Sequence, residues 1–316
     1  MAWIFVVLGL VTLLLAGDCL VKGAVNLSLR LGISTLVVSL TVVAFGTSAP
    51  ELLIVLSAMA DNAPGLAMGN VIGSNTANIL LVLGLPAMAA GLYTSEFDTK
   101  KSFALMIFAS VLFIALAFVG PFTWLHGSLL LVVLAVILLG QAARARRENY
   151  AAAVAAVPVR HLEGLDPSMR GWKILLYLLF GLVGLPVGAK VLVVNAEIIA
   201  QDFGVPDTAI GLTLIAVGTS LPELATTTVA AIRRQADVAL GNVIGSNMFN
   251  LLAIIGIAAL VGPIPVAAGF LRFDLWVMLA SSLLLVPFVL FRQNITRIWG
   301  AALTLLYMVY LLIVLF

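Results

Sequence analysis

Apolar residues run through this chain in long unbroken stretches, and the stretches end at clusters of Gly, Pro and charge. A membrane-crossing helix needs about 20 mostly apolar residues. Ten stretches qualify, near 3–24, 35–60, 66–91, 102–119, 125–143, 172–195, 208–232, 238–262, 273–291 and 297–315. The pattern predicts an all-α polytopic membrane protein of about ten transmembrane helices. No basic region precedes the first stretch and no clear small-residue cleavage site follows it, so it reads as a retained helix.

Composition agrees with lipid as the solvent. The 316 residues are 63% hydrophobic and 9% charged, with a mean hydropathy of +1.22, against about 25% charged residues in an ordinary soluble domain. The single cysteine, Cys19, excludes an intramolecular disulfide and is given no role. Net charge of +2 names no partner by itself and offers no reason to expect nucleic acid.

The placement of charge says more. With ten crossings, alternate loops face one side, and one set holds Arg30, Lys100, Lys101, Arg144, Arg146, Arg147, Arg160, Arg170, Lys173, Arg233, Arg234, Arg292 and Arg297. The other set holds Arg272 alone, with Lys22 and Lys190 inside or near helix ends. Basic loops stay cytoplasmic, so both termini are expected outside and the segment 144–171 is expected to be a cytoplasmic linker. Its Arg-rich start reads as an orientation signal on a solvated linker, with contact to anionic lipid headgroups as the alternative.

Two segments of 39 residues repeat without a gap at an offset of 172. Residues 46–84 begin GTSAPE and continue to GNVIGSN, residues 218–256 begin GTSLPE and continue to the same GNVIGSN, and 18 positions are identical. The shared residues are Gly, Thr, Ser, Pro, Glu and Asn, which apolar helices usually avoid, so a functional element has been duplicated. Each copy falls on the second and third helices of a five-helix half, 1–143 or 172–316. An odd number of crossings turns the second half upside down, the inverted-repeat plan of secondary transporters.

Glu51 and Glu223 stand deep inside predicted helices, where an ionised group costs from a few kcal/mol upward unless paired or hydrated. Neither has a Lys or Arg nearby in sequence on its own helix face, so two carboxylates imply a bound cation. Both follow proline, which removes a helical hydrogen bond. Backbone breaks at membrane depth liberate carbonyls that can ligate ions, which brings in Ala44 and Ala216. Thr47 and Glu51, like Thr219 and Glu223, are four residues apart on one helix face, with Ser48 and Ser220 adjacent. The next helix offers Ser74 with Asn78, or Ser246 with Asn250. All these ligands are oxygens, which suits hard cations such as Ca²⁺ and Na⁺ rather than Zn²⁺ or Cu⁺.

Supporting residues follow. Asn70, Asn242, Asn75 and Asn247 are expected to brace the broken backbone. Gly69/Gly73 and Gly241/Gly245 carry the G-x-x-x-G spacing that lets helices approach closely. Asp18 is matched at the 172-residue offset by Lys190, so this pair breaks the symmetry and serves an ion path or packing.

GTSAPE with GNVIGSN, repeated as GTSLPE with GNVIGSN, resembles the α-repeats of the cation/calcium exchanger superfamily, nearest its prokaryotic sodium/calcium exchangers. The resemblance spans the five-plus-five architecture. It implies alternating access and countertransport of Ca²⁺ against Na⁺ at sites lined by both repeats, with Thr47, Ser48, Glu51, Ser74, Asn78, Thr219, Ser220, Glu223, Ser246 and Asn250 as site residues. It implies no cofactor, and by analogy it makes the first and sixth helices the moving part. Several members have Asp where this chain has Asn250; here Asn78 and Asn250 make the site symmetric. Two carboxylates balance one Ca²⁺ or two Na⁺, and a third Na⁺ would leave net charge in a low-dielectric cavity.

Other readings stay open. A buried Glu can trade a proton for Ca²⁺, which gives an H⁺/Ca²⁺ antiporter. A cation channel would use similar oxygens but has no need of an inverted repeat with a helical break in each half. An enzyme fits poorly, because H-E-x-x-H and G-x-x-x-x-G-K-[ST] are absent and His126 and His161 fall in loop regions. The membrane is expected to be a prokaryotic plasma membrane, and the oligomeric state is open.

Overall fold

The structure, a computed structural model, describes residues 1–94, 98–147, 166, 168–204 and 216–315. Among these, eight helices are long and apolar enough to cross a membrane: α1 (Ala2–Leu31), α4 (Pro64–Ala90), α5 (Lys100–Val119), α6 (Trp124–Arg147), α7 (Gly171–Asp202), α10 (Ala236–Val261), α11 (Phe270–Leu290) and α12 (Arg297–Leu315). A ninth span is the broken pair α2 (Thr35–Thr47) and α3 (Ala49–Ala60), bent by 41°. The span expected over 208–232 is represented by α8 (Ala216–Thr219) and α9 (Leu221–Ile232); residues 208–215 lie outside the described residues. So does most of the expected linker, including Arg160 and His161.

The boundaries expected at 24 and 195 are corrected outward. α1 has 30 residues and α7 has 32, about 45–48 Å at 1.5 Å per residue, more than a hydrocarbon core of about 30 Å. α1 runs on to Gly32, whose left-handed backbone (φ 65°) ends it, and the charges inside it are paired, Asp18 with Lys22 one turn on and with Arg233 at the C-terminal end of the helix over 221–232.

These two long helices run antiparallel. Built Cβ atoms on Gly9, Gly23, Gly181 and Gly188 would meet Leu192, Leu178, Leu20 and Leu13 at 2.6–2.9 Å, so contacts climb one helix as they descend the other. Since α1 and α7 are equivalent at the 172-residue offset, the two halves of the chain are inverted in space. A second interlock repeats the symmetry. Leu92 exchanges backbone hydrogen bonds with Ile295, and Phe122 does so with Ile264. Tight glycine contacts tie α4 to α12 through Gly84 and Gly300, and α6 to α10 through Gly127 and Gly256. Exposed Leu, Val, Ile and Phe cover the outer faces of α1, α6, α7 and α12, as lipid contact requires, whereas α4 and α10 are enclosed.

Candidate cation site

Both repeat copies break their helix at serine. Ser48 sits at φ −85°, ψ 1° and Ser220 at φ −90°, ψ 5°, the sparsely populated bridge between helical and extended backbone. Pro50 and Pro222 fall in the first turn of the helices that resume, where a missing N–H is harmless. Glu51 and Glu223 therefore lie at helix N-termini, where the backbone dipole favours negative charge.

The enclosed helices carry a second irregularity. α4 widens into a π-helical turn over Asn78–Val82, and α10 does so over Phe249–Ile254. These turns place Asn78 and Asn250 where the i→i−4 ladder is interrupted, and such bulges often mark functional sites. Apolar sequence around both residues conceals the bulges, because their local pattern is that of an ordinary helix.

The copies meet and cross-pair. Ser48 Oγ donates to Glu223 Oε1 at 3.4 Å. Thr47 Oγ1 donates to Asn242 Oδ1 at 3.2 Å and lies 3.4 Å from Ser246 Oγ. Asn78 Nδ2 donates to Asn247 Oδ1 at 3.0 Å, and Asn247 Nδ2 donates to the Asn75 carbonyl at 3.3 Å. Glu51 and Glu223, both wholly buried, are close enough for their charges to interact. Ser74, Thr219, Ser220 and Asn250 are buried in the same region.

Asn242 does the bracing expected of it, linking Thr47, the Glu223 carbonyl at 3.5 Å and Thr227 Oγ1 at 3.2 Å. Thr227 was not singled out by sequence; the polar run Thr226–Thr228 within an apolar helix is the signal that could have found it. The Ala44 carbonyl accepts from the Ser48 amide and the Thr47 hydroxyl. For Ala216, only its backbone at the start of α8 is described. Gly241 and Gly245 pack α10 against α2, with built Cβ atoms 2.7 Å from Ser39 Cβ and 2.5 Å from Ala44 Cβ. The equivalents of these partners for Gly69 and Gly73 are Gly211, which lies outside the described residues, and Ala216, of which only the backbone is described.

What the packing leaves over defines the chemistry. Glu51 Oε1 and Oε2, Glu223 Oε2, Ser220 Oγ, and the side-chain oxygens of Asn70, Asn75, Asn78 and Asn250, with Asn250 Nδ2, are buried without a hydrogen-bond partner among the described residues. Buried polar atoms are otherwise almost always satisfied. Orphaned oxygens with two carboxylates among them fit a hard cation, and no group of three or more His, Cys, Asp or Glu residues competes for a metal among the described residues.

A helical membrane protein built of two inverted halves, with buried oxygens from both copies of one motif converging, has the form of a secondary transporter. The comparisons with known proteins agree. The family model described as "Sodium/calcium exchanger protein" matches residues 1–143 and 173–316. The putative antiporter CaxA of Alkalimonas amylolytica is 35% identical, covering 94% of this chain and 92% of that protein. The sodium/calcium exchanger MaX1 of Methanosarcina acetivorans is 33% identical, covering 98% and 97%. A structure of the sodium-calcium exchanger NCX_Mj, soaked with zero Na⁺ and Ca²⁺, superposes with a TM-score of 0.82 at 30% identity, covering 98% of this chain and 97% of that one. The chain belongs to the sodium/calcium exchanger family, and is an integral membrane antiporter of cations.

Proposed function

We propose that this antiporter exchanges Ca²⁺ for Na⁺ by alternating access at one midplane site, with Glu51 and Glu223 as the charged ligands. Thr47, Ser48, Ser74, Asn78, Thr219, Ser220, Ser246 and Asn250 supply neutral oxygens, and the carbonyls of Ala44 and Ala216 complete the set, the Ala44 carbonyl on release of the Ser48 and Thr47 hydrogen bonds that it accepts here. The observation that carries this reading is the group of buried oxygens, drawn from both repeat copies, that the protein leaves without donors. Na⁺ as the driving ion rests on the relatives: MaX1 is named a sodium/calcium exchanger and NCX_Mj is a sodium-calcium exchanger.

Na⁺ and Ca²⁺ compete for overlapping oxygens. Two carboxylates are neutralised by one Ca²⁺ or two Na⁺, so only a filled site closes without net buried charge. The halves 1–143 and 172–316 rock about this site, with the antiparallel pair α1/α7 sliding over the repeats. Basic loops set the orientation: termini outside, segment 144–171 in the cytoplasm of a prokaryotic cell.

The deciding experiment is ⁴⁵Ca²⁺ uptake into proteoliposomes preloaded with Na⁺, compared with a pH gradient lacking Na⁺. Na⁺-driven uptake that disappears in the Glu51→Gln/Glu223→Gln double variant supports the reading. Uptake driven by the pH gradient alone assigns proton coupling instead, and uptake by the double variant equal to wild type removes the site.

A further inference from the structure

Lys190 and Asp18 occupy equivalent positions on α7 and α1, yet the structure treats them oppositely. Asp18 is neutralised: Lys22 Nζ lies 2.8 Å from its Oδ2, and Arg233 Nε donates to its Oδ1 at 2.6 Å. On this route α1 is also shut against α9, since a Cβ on Gly17 would stand 3.2 Å from the Ala225 carbonyl oxygen. Lys190 is exposed and makes no ion pair among the described residues.

The space around Lys190 borders the helix breaks that carry the site. It lines a cleft of about 190 Å³ together with Pro50, Gly218, Thr219 and Pro222. Two of these precede the site carboxylates directly, and Thr219 is itself a candidate ligand. α3 and α7 both end on the membrane face that holds the N terminus, so the cleft lies on that half of the protein. An ammonium on a flexible stem is a compact point charge. In a cleft with mainly apolar walls its field is screened less than at a flat surface.

We propose that Lys190 is a selectivity residue for cations reaching the site from the N-terminal face, weakening the capture of divalent ions more than that of monovalent ones. The proposal rests on the exchanger reading above. Its physical basis is that Coulomb energy scales with the product of the charges, so a fixed positive charge repels Ca²⁺ twice as strongly as Na⁺ at the same position. Free-energy differences are logarithmic in affinity, so the shifts produced by removing that charge stand in a ratio of two on a log scale.

The test compares wild type with Lys190→Gln, Lys190→Glu and Lys190→Arg. Half-saturating Ca²⁺ and Na⁺ are measured in vesicles presenting each face, and cation-dependent thermal shifts are measured on the purified proteins. For Lys190→Gln the half-saturating Ca²⁺ concentration falls about tenfold and that of Na⁺ about threefold at the N-terminal face. Lys190→Glu doubles both logarithmic shifts, Lys190→Arg restores wild-type values, and the opposite face is unaffected. Equal shifts for both ions, shifts at both faces alike, or no shift in a variant that transports and melts normally overturn the proposal. Absence of Na⁺-driven Ca²⁺ uptake in wild type fails the exchanger reading instead; Ca²⁺ thermal shifts that move across the Lys190 series would still support the residue's role, and shifts that do not move would end it.

Discussion

Replacing Glu51 by Gln keeps the shape of the side chain and removes half the negative charge that the site offers. Two unit charges about 4 Å apart interact by about 4 kcal/mol at an effective dielectric of about 20, so one carboxylate contributes about 8 kcal/mol toward Ca²⁺ and about 4 toward Na⁺. Part of this is returned, because Glu51 is fully buried with neither oxygen hydrogen-bonded among the described residues; the amide relieves the empty site of a desolvated charge. Taking about half as net leaves ~4 kcal/mol for Ca²⁺ and ~2 for Na⁺, in line with the ~3–5 kcal/mol lost when one partner of a buried ion pair is removed. At ~1.4 kcal/mol per decade, Ca²⁺ affinity falls about a thousandfold and Na⁺ affinity about thirtyfold. Equilibrium dialysis with ⁴⁵Ca²⁺ and ²²Na⁺ on purified Glu51→Gln and Glu223→Gln reads both numbers, with a thermal melt to establish that each variant is folded. A Ca²⁺ loss no larger than the Na⁺ loss would refute the reasoning, because a charge removed from the site must act on the divalent ion more strongly.

Two further outcomes follow from the packing. Gly245→Ala places a Cβ 2.5 Å from Ala44 Cβ and 2.6 Å from the Leu40 carbonyl oxygen. Neither neighbour can swing away, so overpacking of about 1–3 kcal/mol is expected, seen as a melting point several degrees below wild type. Gly65→Ala, which meets no described atom within 4 Å, is the control that should not fall, and equal melting of the two variants would remove the helix contact from the argument. Asp18→Asn breaks the ion pair to Arg233 that fastens α1 to the C-terminal end of α9, together with the pair to Lys22 inside α1, so α1 should separate from α9 more often. Cys19, the single cysteine and next in sequence, is a native reporter: its maleimide labelling should quicken several-fold, and an unchanged rate would mean that the pair does not hold α1.

The sequence by itself determined the solvent, the helices and the duplicated element. Apolar stretches of about 20 residues admit only lipid or a buried core, and Pro50, Glu51 and Asn78, with their equivalents at 222, 223 and 250, are too expensive in such helices to be there without a purpose. What only the tertiary structure decided is how those residues are used. Ser48 reaches Glu223 from 175 residues away, and Thr47 reaches Asn242 from 195; such pairs depend on how two inverted halves interlock, which helical spacing does not encode. The π-helical turns at Asn78 and Asn250 follow from tertiary packing as well, since an apolar run reads the same in an α-helical or a widened turn. Asp18 could be seen to break the repeat's symmetry, but its pairing with Arg233, and the cleft that Lys190 lines with Pro50, Thr219 and Pro222, arise only from the way α1 and α7 pack on the rest of the chain. The two equivalent pairs of helices differ because Asp18 has Arg233 to pair with across α1 and α9, whereas Lys190 has no ion pair among the described residues.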